Sequence, residues 1–425
     1  MLTRMQAVIG AGFGDEGKGR TVDALVANAQ RDGLRPWVVR FNSGAQAGHT
    51  VVTPDGRRHV FHQLGSGTFL DAPTYLGAEV VLNPWLLDAE LEALADLGVR
   101  APRLLADPRA PVSVPWDAMI NQALEHARGA GRHGSCGVGF GETVQRSQHP
   151  GYALQGADLM SEARVRARLT AIRHEYLPRR LREVGLPLDA LGTFVDNPAL
   201  VDRFVADALS LGRRFEWRTP LVLAEQDALV FEAAQGLRLD QDLGEFPYVT
   251  RSQTGLPGIA RMAREAGLCA LAPLQAHYVT RAYLTRHGAG PLPDELPAPP
   301  APGFSDPTNR LNPYQGTLRF AHLDPDALRR DIRSDLQRIA ISKTSSTPDR
   351  NETLTVHPML EVTCLDQMGS TVFRRNGTSV PVADLAVATA AAVGIALAAE
   401  AWGPARTDRR VVTMDVQRRE LVLQE

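Results

Sequence analysis

Cysteine is scarce in this chain. The three present, Cys136, Cys269 and Cys364, have no CxxC spacing among them. That excludes a disulfide framework or a zinc site and suits a reducing cytoplasm. Neither sign of charge is in excess: 46 Lys and Arg stand against 48 Asp and Glu, a net charge of −2. Such balance argues against nucleic acid or a membrane as a partner. Long apolar runs are missing as well. The most apolar stretch, residues 385–399, is too short and too rich in alanine to cross a bilayer. The first residues run within a few positions into an apolar strand, without the apolar core of a signal peptide. The chain is expected to be a soluble cytoplasmic protein.

With 425 residues and 44% hydrophobic content, a sizeable core is affordable. Apolar periodicity predicts strands at 5–10, 36–41, 79–82, 228–233, 277–284, 359–365 and 410–415, and a hairpin over 51–61 turning at Asp55-Gly56. Helices are predicted at 19–29, 85–97, 324–339 and 382–399. Residues 158–212 read as a helical subregion, and the proline-dense stretch 291–303 as a surface loop. The alternation points to an α/β fold, a mostly parallel central sheet flanked by helices in one domain over 1–425.

Residues 12–19, Gly12-Phe13-Gly14-Asp15-Glu16-Gly17-Lys18-Gly19, almost spell a P-loop. The Ser or Thr that normally follows the lysine and holds magnesium is replaced by Gly19, and an acidic pair sits inside the loop. Strand, glycine loop and helix in this order aim backbone N–H groups at an anion, with Lys18 beside them. A carboxylate there repels phosphate unless a cation or a protonated base lies between. Asp15 is therefore expected to act as a magnesium ligand, a base, or both; capping the following helix is the plainer reading. Three further small-residue loops lie at 42–50, 134–141 and 232–236, the last running into 248–255. His133 and His287 flank glycine loops and read as polar lining, and Cys136 as a small loop filler.

Together and in this order, these segments resemble the adenylosuccinate synthetase family. Its WGDEGKG, GHNAGHT, GTTGRGIGP, EGAQG and TRVGAGP types of motif find counterparts at 13–19, 44–50, 134–141, 232–236 and 285–291. Later, Thr363-Cys364-Leu365-Asp366 is similar to TKLD, and residues 402–407 to STGPDRT. The resemblance implies a P-loop-like fold and a ligase that forms a C–N bond. The γ-phosphate of GTP moves to the 6-oxygen of a purine nucleotide, and L-aspartate then displaces it.

By the same resemblance Asp15 removes the N1 proton, His49 assists departure of the nucleoside diphosphate, Gln235 faces the 6-oxyanion, and Lys18 completes the catalytic set. Mg2+ falls to Asp15 and the Gly48 carbonyl. The triphosphate falls to Gly14, Glu16, Gly17, Lys18, Gly19, Gly48, His49, Thr50 and Arg319, and its base to Asp366, Trp402, Gly403 and Pro404. The purine monophosphate falls to Asp15, Gln46, Ala47, Ser135, Cys136, Arg146, Gln235, Leu239 and Thr250; Arg146 stands in for an arginine that a partner subunit supplies. A homodimer is implied. The chemistry is coherent. A 6-oxo group is a poor nucleophile until N1 is deprotonated, which a carboxylate of ordinary pKa ~3.9 does once burial raises it. A histidine titrating near ~6.5 donates at neutral pH, and an amide aimed at developing charge is worth ~10²–10³-fold in rate.

The chain also departs from the pattern. The TTGRRRR-type loop for the amino acid is absent; Thr308, Asn309, Arg310 and Thr317 stand in that region. Cys364 replaces the TKLD lysine, Gln46 an asparagine and Cys136 a threonine. These changes leave open IMP or dGMP as acceptor, GTP or ATP as donor, and the identity of the amino acid. A nucleotide-binding protein without catalysis is the remaining alternative.

Overall fold

A computed structural model describes residues 2–100, 102–301, 304, 314–341, 353–368, 372–375 and 378–414. Among the described residues, ten strands hydrogen-bond into one sheet. In chain order they are β1 (Arg4–Gly10), β2 (Pro36–Arg40), β3 (Thr74–Leu76), β4 (Leu104–Ala106), β5 (Glu216–Trp217), β6 (Ala228–Glu232), β7 (Leu274–Arg281), β8 (Val356–Thr363), β9 (Ala396–Ala401) and β10 (Arg409–Met414). Across the sheet they run β10-β9-β8-β7-β1-β6-β2-β3-β4-β5. Every pairing is parallel except β9 with β10. This is the α/β architecture expected from the sequence.

The central strands are buried on both faces, which is why they read as continuous apolar runs rather than alternating ones. On one face, the helix Lys18–Arg31 sets Val22, Leu25 and Val26 against Val8, Val38, Val230 and Val279. On the other, helices Leu256–Glu265 and Pro325–Ile341 bury Ile259, Met262, Leu328 and Ile332. The helical subregion is present as Glu162–Ala171, Leu177–Val184 and Pro198–Arg214, packed around Leu169, Phe204 and Leu211. From β1 the chain moves to β2 on one side and later returns to β7 on the other. Ligands of open α/β sheets bind outside the carboxyl ends of strands at such a reversal.

Several expected elements are corrected. Residues 79–82 form no strand: Val81 and Leu82 make only isolated bridges, to Gly44 and Val112, and β3 takes the sheet position instead. The strand expected over 277–284 is two. β7 ends at Arg281, and Tyr283–His287 pairs with Leu318–His322 in a separate small sheet. The helix expected over 382–399 covers only Leu385–Val393. Gly394, left-handed at φ 80, ends it, and Ala396–Ala401 becomes β9 because β8 offers a parallel partner. β4 and β5 have three and two residues, too few to show a period. In the Pro-rich stretch, Glu295–Leu296 adds a short strand to Leu318–His322.

Candidate active site

Four non-glycine residues with left-handed backbone stand in loops that follow sheet strands: Asp15 (φ 60) after β1, Ser43 (φ 69) after β2, Gln235 (φ 66) after β6 and Cys364 (φ 57) after β8. Each costs about 1–3 kcal/mol and survives only where surrounding contacts over-determine it. Their place, at the carboxyl edge of the sheet around the reversal, marks the crevice.

The contacts that fix these loops are visible. Gly17, at φ 89, starts the helix Lys18–Arg31 where a side chain would be strained. Glu16 turns inward. Its carboxylate accepts from Gly12 N at 3.0 Å and Gly14 N at 2.8 Å, and from Lys18 Nζ at 2.7 Å. Both side chains of that pair are buried. The sequence reading assigned Glu16 to the triphosphate and the loop amides to phosphate. In the structure two of those amides and the lysine are engaged by Glu16, which braces the loop from within. Thr363 Oγ1 donates to the Glu16 carbonyl at 2.9 Å, tying the loop to β8.

Asp15 is left at the rim, half-buried, its backbone carbonyl accepting from Arg281 Nε. Its Oδ2 lies 3.5 Å from His287 Nε2. Gly48 is exposed nearby in sequence to His49. Among the described residues no group of three or more His, Cys, Asp or Glu side chains could hold a metal. Magnesium carried by nucleotide phosphates needs only one or two protein carboxylates. Asp15 supplies one such carboxylate at the rim.

His49 is buried, and its Nδ1 meets Glu232 Oε1 at 2.5 Å. Glu232, at the end of β6, also accepts from Ser66 N at 3.0 Å and from Ser66 Oγ. Burial pushes the imidazole down to about 4, with Arg40 and Lys18 adding to it against the pull of Glu232. For Glu232, burial would raise the carboxyl, but His49 and Arg40 hold it down at about 2. The pair is therefore a neutral imidazole donating Nδ1–H to a carboxylate. The expectation that His49 titrates near ~6.5 is corrected by its burial. Among the described residues His49 Nε2 is buried without a hydrogen-bond partner, the arrangement of a nitrogen kept for a ligand.

Gln235 follows β6 and is partly exposed. Its loop is stitched to the second one by Asn42, whose Oδ1 accepts from Ala234 N at 2.9 Å and whose Nδ2 donates to Ala234 O at 3.2 Å. It is pressed on the first loop at Gly236, where an added Cβ would stand 2.3 Å from Gly12 O. The third loop touches the strand motif, since a Cβ on Gly134 would meet Ala289 N at 2.6 Å. The fold thus brings Asp15, His49 and Gln235 to one edge from three adjacent strands, β1, β2 and β6.

The remaining candidates are spread around this centre. Gln46 Nε2 donates to Ser43 Oγ at 2.6 Å, Ala47 is buried, and Thr50 stands half-buried in β-hairpin strand His49–Val52. Gly19 abuts the Thr50 carbonyl, where an added Cβ would come within 2.7 Å. Ser135 Oγ accepts from Asn121 Nδ2 at 2.7 Å, and burial pushes the Cys136 thiol up. Leu239 and Thr250 are joined through Thr250 N and Leu239 O at 2.8 Å. Asp366 is exposed in a short turn after β8; partial burial nevertheless raises its carboxyl. Trp402 is 43% exposed, with the Arg410 guanidinium 5.0 Å from its ring centroid. Gly403 O accepts from Arg20 Nη1 at 3.2 Å, and Pro404 is exposed. Thr317 is exposed beside strand Leu318–His322, while Thr308, Asn309 and Arg310 lie outside the described residues.

Two of the candidate arginines are engaged within the chain. Arg146 is fully buried, bidentate to Asp117 at 3.0 and 2.8 Å, with further donors on Tyr152 O and Val112 O. Those bonds hold it inside its own chain in the free protein. Arg319 gives Nε to Glu295 at 2.8 Å, Nη2 to the same carboxylate, and Nη1 to Gly288 O and Gly290 O. Its donors join Gly288, Gly290 and Glu295 to strand Leu318–His322. Sequence reasoning missed Glu232, Asn42 and Arg281. Glu232 was visible as the first residue of the EGAQG-like motif, but nothing local joins it to a histidine 183 positions away.

Fold and site define a doubly wound α/β protein whose small-residue loops gather at its switch point. The chain belongs to the adenylosuccinate synthetase family, whose model matches residues 7–311. It is 36% identical over 302 residues to the adenylosuccinate synthetase of Anaeromyxobacter sp. (strain K), covering 68% of this chain and 64% of that protein. With that of Ralstonia nicotianae it shares 34% over 352 residues, 77% of this chain and 73% of the relative. The chain thus spans under two thirds of the length of the first of these relatives. Among solved structures it is similar to fully ligated adenylosuccinate synthetase from Plasmodium falciparum, with TM-score 0.69, 18% identity, and 97% and 100% of the two chains covered. It is also similar to the succinoaminodeoxyadenylate synthetase of cyanophage S-2L bound to dGMP and dATP as an energy donor. There the TM-score is 0.58, the identity 16%, and the coverage 98% and 97%. At these identities the structural likeness shows the fold.

Proposed function

We propose that this protein is a purine-nucleotide ligase that joins IMP to L-aspartate at the expense of GTP, giving an adenylosuccinate-type product, GDP and phosphate. The observation that carries this reading is the convergence of the Asp15 carboxylate, the His49–Glu232 dyad and Gln235 at the carboxyl ends of β1, β2 and β6. Asp15 takes the N1 proton, and the C6 oxygen becomes nucleophilic enough to attack the γ-phosphorus as the bond to GDP breaks. Gln235 supplies an amide donor to the oxyanion. His49, neutral in the free protein, gains a proton when a polyanion lies against Nε2, because negative charge favours the imidazolium. Glu232 stabilises that cation, which then shields the departing diphosphate. The amine of aspartate next attacks C6, phosphate leaves, and the amine gives up a proton.

Mg2+ suits Asp15 and the Gly48 carbonyl, where it would neutralise phosphate charge. The retained Asp15 favours a purine without a 2-amino group, since the carboxylate that meets N1 also stands beside C2. A homodimer with the site at or near the interface accompanies this reading, as does a cytoplasmic setting. Among the described residues no helix is long and apolar enough to cross a membrane.

The test is a mass-spectrometric product assay crossing IMP, dIMP, GMP and dGMP with GTP and ATP, with aspartate as amine. A succinylated product from IMP and GTP supports the reading. Product from dGMP alone moves the protein to the other acceptor, and no succinylated product from any pair overturns the assignment.

A further inference from the structure

The family's strand motif reads Thr-Arg-Val-Gly-Ala-Gly-Pro, whereas this chain has Thr285-Arg286-His287-Gly288-Ala289-Gly290-Pro291. The histidine that replaces valine is not absorbed by the chemistry above, yet its Nε2 stands 3.5 Å from Asp15 Oδ2. The two side chains are 19% and 27% exposed, so the contact is neither sealed in the core nor fully solvated.

Both backbones at this contact are held. His287 ends strand Tyr283–His287 and is in register with Leu318 of the neighbouring strand. Asp15 is locked at φ 60, its carbonyl taken by Arg281 Nε. What stays free in Asp15 is its side-chain torsions. A carboxylate on two soft torsions samples several wells, and few of them present an oxygen to a ligand. His287 is the group in contact with one of those oxygens.

We propose that His287 is a positioning residue for Asp15: its ring N–H holds the carboxylate through Oδ2 and leaves Oδ1 to meet N1 of the purine. This rests on the reading of Asp15 as the base. At 3.5 Å the contact is looser than a made hydrogen bond, and such contacts tighten when substrate closes the site. The charged ring donates from Nε2, and so does the neutral tautomer that carries its proton there.

The test compares His287→Val, the residue of the family motif, with His287→Gln, which keeps an N–H donor. Thermal unfolding first shows that both fold. The expected result with IMP, GTP and aspartate is a kcat about tenfold lower in His287→Val, with KM for IMP within about twofold, and a kcat within about threefold of wild type in His287→Gln. Equal losses in the two variants, no loss in either, or a loss carried by KM overturns the proposal. A second readout stands without turnover: ¹⁵N-histidine NMR of the full chain. A proton on Nε2 of His287, with a resonance that shifts in Asp15→Asn, supports the contact; a resonance unmoved by Asp15→Asn overturns it. Failure of wild-type turnover alone bears on the assigned reaction, while this shift bears on the contact.

Discussion

Replacing Glu232 by glutamine removes one charge from a buried dyad and, with its NH2 in place of Oε2, the acceptor of Ser66 N–H. Glutamine keeps an acceptor for His49 Nδ1–H and nearly the same volume, so the fold should hold within about 2 kcal/mol. The imidazolium suffers more. Its partner oxygen sits 2.5 Å away in a site where both residues are buried. Two unit charges about 4 Å apart at an effective dielectric of about 20 attract by about 4 kcal/mol, and a charge-assisted hydrogen bond is worth about 1.5–3 kcal/mol net. A loss of about 2–4 kcal/mol at a step that needs the cation corresponds to a kcat lowered ~30- to ~1000-fold. Binding of IMP should barely change, since neither residue is asked to grip it in the ground state. Steady-state kinetics on Glu232→Gln, His49→Gln and the double variant measure this. If the two residues act as one unit, the double variant is no slower than the worse single one. A kcat within about threefold of wild type in Glu232→Gln, or losses that multiply in the double variant, would refute the dyad.

Three further expectations follow from other parts of the molecule. Asp15→Asn should abolish product formation while nucleotide binding, read by calorimetry, stays within about tenfold; near-normal turnover would remove Asp15 from the reaction. Arg146→Ala should destabilise the protein by about 3–5 kcal/mol in urea unfolding, because Asp117 is left charged and buried. A stable Arg146→Ala with only a weaker KM would return Arg146 to the nucleotide. Burial raises Glu90 from 4.5 to about 7 and Asp335 from 3.8 to about 7, against the backbone N–H groups that each accepts. The folded state therefore keeps protons that the unfolded chain releases. The stability these carboxyls contribute is full below about pH 4 and is lost as pH rises through about 7. Wild type should lose unfolding free energy relative to a Glu90→Gln/Asp335→Asn double variant across that window, and a difference that stays flat would contradict it.

Local patterns made much of the fold legible. β1, β2 and β6 are short apolar runs bounded by glycine loops, and burial on both faces is what makes them so. The helix after the first loop was readable because Gly17 and Lys18 close a phosphate-type turn. The errors fell where a partner rather than a period decides. The alanine-rich run after Gly394 suits a helix by propensity, but the free edge of β8 made it a strand. Residues 79–82 look like a strand and lie outside the sheet.

The site divides the same way. Asp15 stood out in the chain as a carboxylate inside a glycine loop, while His49 and Gln235 were expected at the site through the family resemblance. Sequence order and spacing also carried the family resemblance. What the chain could not reveal were the partners across the sheet: Glu16 filling its own cradle, Glu232 behind His49, and Arg146 turned inward to Asp117. A side chain's charge state and reach depend on burial and on groups brought near from distant positions. Those are set only when β1, β2 and β6 lie side by side, and no local run of residues encodes them.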